Sequence, residues 1–115
     1  MSKLANFLIC DLKEDWSKPS IKFFRSNGSY GYILWLTIID ASFKKKKIGI
    51  EMIAAQLEKY ASRRTIIDFV NKGFDAGFIN KTNSLEDKRK IYIEPSIVTI
   101  REYAEWSEEF IKNII

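Results

Sequence analysis

A mainly α domain carrying a small β-hairpin, an α+β class, is the fold this sequence predicts, and three observations predict it. Apolar residues recur at steps of three and four through most of the chain. One stretch, Lys88–Glu94, alternates instead: Ile91 and Ile93 fall on one side, Lys90, Tyr92 and Glu94 on the other, and a strand-like run, Phe78–Thr82, precedes it. The 115 residues are 46% hydrophobic and 14% aromatic, which suits one domain with one core and rejects disorder.

Along the chain, Leu4, Phe7, Leu8 and Leu12 space a first helix within Met1–Trp16. Ser17-Lys18-Pro19 reads as the start of a second, with proline in its first turn, and Asn27-Gly28 ends it. Ser29 is the expected cap of a third helix, whose apolar face is read as Tyr32, Ile33, Leu36, Ile39 and Phe43. Lys44–Lys47 close that helix at its negative end. Ile48 suits a short strand, and Ile50, Ile53, Ala54 and Leu57 space a short helix. After a turn at Tyr60-Ala61, Ser62 caps a helix that buries Ile66, Phe69, Val70 and Gly73 and stops at Gly77. Its opposite side carries Arg64, Asp68, Asn71 and Asp75, with Thr65 and Lys72 at one flank. The hairpin follows across the polar loop Asn83–Asp87. Pro95-Ser96 then starts a last helix with the stripe Ile97, Ile100, Ala104, Ile111 and Ile114.

A helix–turn–helix pair, a hairpin and flanking helices together make a winged helix-turn-helix with additional N- and C-terminal helices. The expected organisation is one domain over 1–115: an N-terminal helical extension at 1–28, the winged core at 29–95, and a C-terminal helix at 96–115 suited to dimerisation. Trp106 and Phe110 lie beside the last stripe, and Phe7 and Leu8 can join them.

Composition narrows the chemistry. The chain has no histidine, which removes Ser-His and Cys-His catalysis, histidine metal ligation and the usual general base. Its one cysteine, Cys10, rules out an internal disulfide and thiolate zinc sites, and its apolar neighbours suggest a buried, inert thiol. No paired-carboxylate or glycine-rich phosphate motif is present. The reading is therefore not an enzyme, with no cofactor and no metal. No apolar run approaches the roughly 18 residues of a membrane span, and the start MSKLANFLICDLKEDW lacks a secretory pattern; the expected compartment is the cytoplasm.

Charge points to a polyanion. Residues 44–90 hold twelve basic and six acidic groups, whereas 91–115 hold two and five. In a helix–turn–helix the second helix enters the major groove with its N-terminal side chains at base edges. Here that helix opens Ser62-Arg63-Arg64-Thr65: guanidinium groups suit guanine or phosphate, and the hydroxyls suit phosphate. Asn71 could reach adenine, and Asp68 is placed to pair with Arg64 at i,i+4 and fix its rotamer. Lys72 flanks the same face. Lys81, Lys88, Arg89 and Lys90 sit on or beside the hairpin loop, where a wing lies along backbone or minor groove. Lys44–Lys47 is the least specific basic patch and reads better as a solvated loop.

From about Ile48 to Ser96 the sequence resembles the winged-helix core of the MarR family of bacterial transcription regulators, through IAAQL, SRRTI, AGFI and above all DKRKIYIEPS, with Asp87, Arg89, Ile93 and Ser96 spaced as in that family's wing. The resemblance implies that Arg89 reaches DNA from the wing and that Asp87 helps to hold it. It further implies a homodimer built from the terminal helices on a pseudo-palindromic site. Gly73 stands where the family has a leucine, and Phe74 is the candidate to replace its packing. The sequence leaves two other functions open: a protein-interaction module on the same fold, and a replication-initiator or mobile-element DNA-binding protein.

Overall fold

A computed structural model of the chain describes residues 2–13 and 18–114, with the side chain of Ile114 excepted. Six helices and three strands follow in the order α1 (Ser2–Lys13), α2 (Pro19–Arg25), α3 (Ser29–Phe43), β1 (Ile48–Gly49), α4 (Ile50–Gln56), α5 (Arg63–Asp75), β2 (Ile79–Asn83), β3 (Ile91–Pro95) and α6 (Ile97–Ile114). The sheet is antiparallel in the order β1-β3-β2, with Ile48 opposite Ile93 and Lys81 opposite Ile93 on its other side. This is the winged helix expected from the sequence, with added helices at both ends. Trp16 and Ser17, assigned above to the first helix and the start of the second, lie outside the described residues, as does the side chain of Ile114.

The core gathers on α3. Leu34, Trp35, Ile38 and Ile39 are buried there against Ile21 and Phe24 of α2, Ile53 of α4, Ile66, Phe69 and Val70 of α5, and Ile79 and Ile93 of the sheet. The face read from the sequence is corrected: Leu36 and Phe43 are exposed, and Tyr32 and Ile33 are only half-buried. In SYGYILWLTIIDASF nearly every position is apolar, so spacing alone cannot single out one face, and neighbours on several sides decide instead. Ser29 does not cap this helix. Gly28 does, at φ 85°, without a side-chain bond. Although 1–28 reads as an extension, α2 packs as part of the core.

Helix α2 meets α3 closely because Gly31 has no side chain. A Cβ there would lie 2.2 Å from the carbonyl oxygen of Phe24. Gly73 has a similar task against the sheet: its Cβ would come within 2.7 Å of Ile79 Cδ1 and 3.1 Å of Phe23 Cε2. Phe74 is therefore not the replacement for a leucine. It is exposed, and Phe23, stacked on Phe69 with centroids 4.6 Å apart, fills the space instead.

The stripe on α6 is also corrected. Ile97, Ala104 and Ile111 are exposed, whereas Thr99 and Glu102 are buried and Tyr103, Trp106 and Phe110 are half-buried. Hydrogen bonds fix this rotation: Thr99 Oγ1 donates to the Phe78 carbonyl at 2.7 Å, and Glu102 accepts from the amide and hydroxyl of Ser20 at 2.8 and 2.6 Å. Aromatic contacts continue the seam, with Trp106 5.4 Å from Trp35 and Phe110 5.4 Å from Phe7. Helix α1 buries no residue; it packs along α6, and the Asp11–Arg25 pair ties it to α2. Cys10, expected to be buried, is exposed on α1.

Candidate nucleic-acid interface

The turn from α4 to α5 begins where Leu57, buried, accepts amide bonds at its carbonyl from Tyr60 and Ala61 at 2.9 and 3.2 Å. Ser62 then caps α5 as its sequence position suggests. Its hydroxyl oxygen accepts from the Thr65 amide at 3.1 Å, and its hydroxyl donates to Thr65 Oγ1 at 2.9 Å. At the other end Gly77, at φ +84°, lets the chain reverse; its amide bonds the Phe74 carbonyl at 3.1 Å while Phe78 bonds that of Gly73 at 2.8 Å. Between these stops the inner face is Ile66, Phe69, Val70 and Gly73, as the spacing predicts, and Arg64, Thr65, Asp68 and Lys72 are exposed on the outer side.

The two arginines at the helix start differ. Arg63 is held across the turn by Glu51 of α4, its Nε donating to Oε2 at 2.9 Å and its Nη2 to Oε1. The carboxylate lies below the ordinary glutamate range because Arg63 hydrogen-bonds its charged form, and the guanidinium is pushed up by the same contact. Arg64 has no ion-pair partner among the described residues, so the expected pair with Asp68 does not form. Both side chains face water, where an i,i+4 pair gains little over hydration.

Asn71, half-buried, is tied to the hairpin. Lys81 Nζ donates to Asn71 Oδ1 and lies 4.9 Å from the Phe74 ring centre. Two residues picked separately from the sequence are thus one contact that joins α5 to β2.

The hairpin loop is built from its own polar groups. The Ser84 amide bonds the Lys90 carbonyl at 2.9 Å, and Ser84 Oγ accepts from the amides of Glu86 and Asp87 at 3.2 and 3.3 Å. Asp87 accepts from the Arg89 amide at 3.0 Å, its carbonyl takes the Lys90 amide at 2.9 Å, and Arg89 Nε stands 3.6 Å from its carboxylate. Lys88, Arg89 and Lys90 are exposed along this loop, and Leu85 at its tip is wholly exposed. Lys90 Nζ lies 5.4 Å from the Tyr92 ring centre, and Lys47 Nζ is also 5.4 Å from it. Sequence reasoning missed Glu51 and Tyr92 here and read Lys47 as part of a solvated loop, because only tertiary proximity joins them to the basic elements.

No group of residues that could hold a metal ion occurs among the described residues, and no helix there is long and apolar enough to cross a membrane. No family model matches the chain, and no curated protein matches it. Among solved structures it is similar to the heme sensor protein PefR of Streptococcus agalactiae in complex with heme, at TM-score 0.61 and 18% identity over 96% of this chain and 72% of that one. It is similar to PefR in complex with heme and carbon monoxide, at 0.62 and 17% over 96% and 73%. Heme-free PefR matches at 0.53 and 18% over the full length of both chains. PefR belongs to the MarR family of winged helix-turn-helix regulators, and at these identities what this chain shares with it is the fold.

Proposed function

We propose that this chain binds double-stranded DNA in a sequence-specific way and regulates transcription, with α5 in the major groove and the β2–β3 wing along backbone or minor groove. One observation carries the reading: the capped, outward-facing start of α5, where Arg64 has no ion-pair partner among the described residues, belongs to the same body as a hairpin tip bearing Lys88, Arg89 and Lys90. Ser62 and Thr65 suit phosphate beside the free amides of the first helical turn, and Arg64 suits a base edge. Arg63 acts through Glu51 as a positioning group, Asn71 holds Lys81, and Lys72 and Lys81 contact backbone. Asp87 structures the wing so that Arg89 extends from it.

In this reading the chain is a cytoplasmic homodimer and not an enzyme. Ile9 and Leu12 of α1 and Ile111 of α6 are exposed on the helices outside the core, which favours a second copy as their cover. Trp106 and Phe110, half-buried within the chain, contribute less to that surface than the sequence suggested. PefR is a heme sensor, but this chain has no histidine to serve as a proximal imidazole, and its one cysteine is exposed on α1. The reading therefore includes no heme.

Selection of bound duplexes from a random pool, with the mass of the complex measured alongside, tests this directly. A pseudo-palindromic consensus bound by two chains is the expected result, with Arg64→Ala costing about 1–3 kcal/mol and relaxing preference at its base. Absence of binding to any duplex at low salt would sink the proposal.

A further inference from the structure

We infer that Lys47, seated on Tyr92 beside Lys90, forms a third phosphate-contacting element, so that duplex DNA is gripped at the root of the wing as well as at its tip. The inference rests on the DNA-binding reading and extends its surface to a segment that the sequence reads as a solvated loop.

The four lysines after α3 have different circumstances. Lys44 pairs with Asp40 at 3.0 Å. Lys45 turns the chain in the left-handed region at φ 56°, with its amide on the Ser42 carbonyl and that of Lys46 on the Ala41 carbonyl, at 3.1 and 2.9 Å. That reversal ends α3 and starts the extended path into β1. Lys46 and Lys47 are exposed and have no ion-pair partner among the described residues. Lys45, Lys46 and Lys47 line an open cleft of about 500 Å³ with Thr82, Asn83 and Tyr92, and Glu94 is the carboxylate on its wall.

Tyr92 organises the charge. It lies opposite Gly49 in the β1–β3 register, and a Cβ on Gly49 would sit 3.9 Å from Lys90 Cε, so the Lys90 stem passes over that bare backbone. Lys47 and Lys90 each place an ammonium 5.4 Å from the ring centre of Tyr92. Two ammonium groups are thus gathered about one half-buried ring, and a phosphate that approaches them offsets their mutual repulsion.

The patch is also continuous with the recognition helix. From Lys47 the chain runs through Ile48, Gly49 and Ile50 to Glu51, which holds Arg63 at the start of α5. Four residues of chain reach at most about 14 Å. That is well under the roughly 34 Å of one duplex turn, so a single bound duplex can meet both places.

The test is a salt titration of binding to a random duplex by the full chain, for wild type, Lys47→Gln, Lys47→Arg and Lys3→Gln, each checked for an unchanged melting temperature. Lys47→Gln is expected to flatten the slope of log K against log salt by about 0.9, the loss of one phosphate contact, equally on all sequences. Lys47→Arg should keep the wild-type slope, and Lys3→Gln on α1 should leave it unchanged. If wild type binds and Lys47→Gln keeps its slope, or if the loss is confined to certain sequences, this inference is overturned and the DNA-binding reading stands. If wild type binds no duplex at low salt, both fall.

Discussion

Glu51 and Arg63 illustrate how one residue pair changes what a motif can do. The SRRT start of α5 presents two guanidinium groups in sequence, but Glu51 engages Arg63 on two hydrogen bonds, whereas Arg64 has no ion-pair partner among the described residues. Replacing Glu51 with glutamine removes the restraint and one negative charge near phosphate. The expected outcome is tighter binding to all duplexes, with the salt slope steeper by about 0.9 if Arg63 then takes a phosphate. The pair also has a pH signature. Glu51 titrates below the ordinary glutamate range when folded, so its contribution to stability is present above that range and is lost as pH falls through the lowered value. Denaturant melts of wild type and Glu51→Gln should therefore converge in acid and separate toward neutral pH. Curves that stay parallel across that window would show that the pair contributes nothing in solution.

At the scale of elements, two helix ends use the same device with different residues. Helix α5 ends at Gly77 in the left-handed region, and α3 ends with Lys45 there. Glycine takes that conformation without cost, whereas a residue with a Cβ pays roughly 1–2 kcal/mol. Gly77→Ala should thus lower stability by about 1 kcal/mol, and Lys45→Gly should raise it by up to about 1 kcal/mol, both read from chemical melts at neutral pH. Equal and small effects at both sites would mean that the turns relax. The crossing of α2 and α3 is stricter. At Gly31 the obstacle is a backbone carbonyl, which cannot rotate aside. Gly31→Ala is expected to cost about 3 kcal/mol, the upper end for overpacking, by forcing the two helices apart.

For the whole molecule, the question is how the terminal helices are carried. The body measures 48 × 26 × 24 Å, and α1 lies along α6 outside the core. Its anchor is Asp11, whose carboxylate takes Arg25 at 2.5 Å and the Trp106 indole at 3.2 Å. The Arg25 side chain is only 5% exposed, with Tyr32 and Trp106 ring centres 5.1 and 5.5 Å from its guanidinium carbon. Loss of the Asp11 carboxylate removes the contacts to Arg25 and to Trp106 at once. Asp11→Ala should lower stability and expose α1 amides to hydrogen exchange while those of α5 stay protected. Unchanged protection in α1 would place its anchor elsewhere.

Much of the winged core was legible in the sequence because its signals are local. The Ser62 cap, the Ile66-Phe69-Val70-Gly73 face and the Ile91–Ile93 alternation each depend on spacing and on one residue's chemistry. The faces of α3 and α6 were not legible. Helix α3 is apolar nearly all round, and α6 is turned by bonds from Thr99 to Phe78 and from Ser20 to Glu102, partners 21 and 82 residues apart. The same holds for the basic surface. The sequence by itself determined that this chain is a mainly helical winged fold with positive charge at the start of α5 and on its hairpin. Only the tertiary structure decided which of those charges are engaged: Arg63 by Glu51, Lys81 by Asn71, and Lys47 and Lys90 by Tyr92. Such pairings depend on distances between elements, and composition and spacing along one chain carry no record of them.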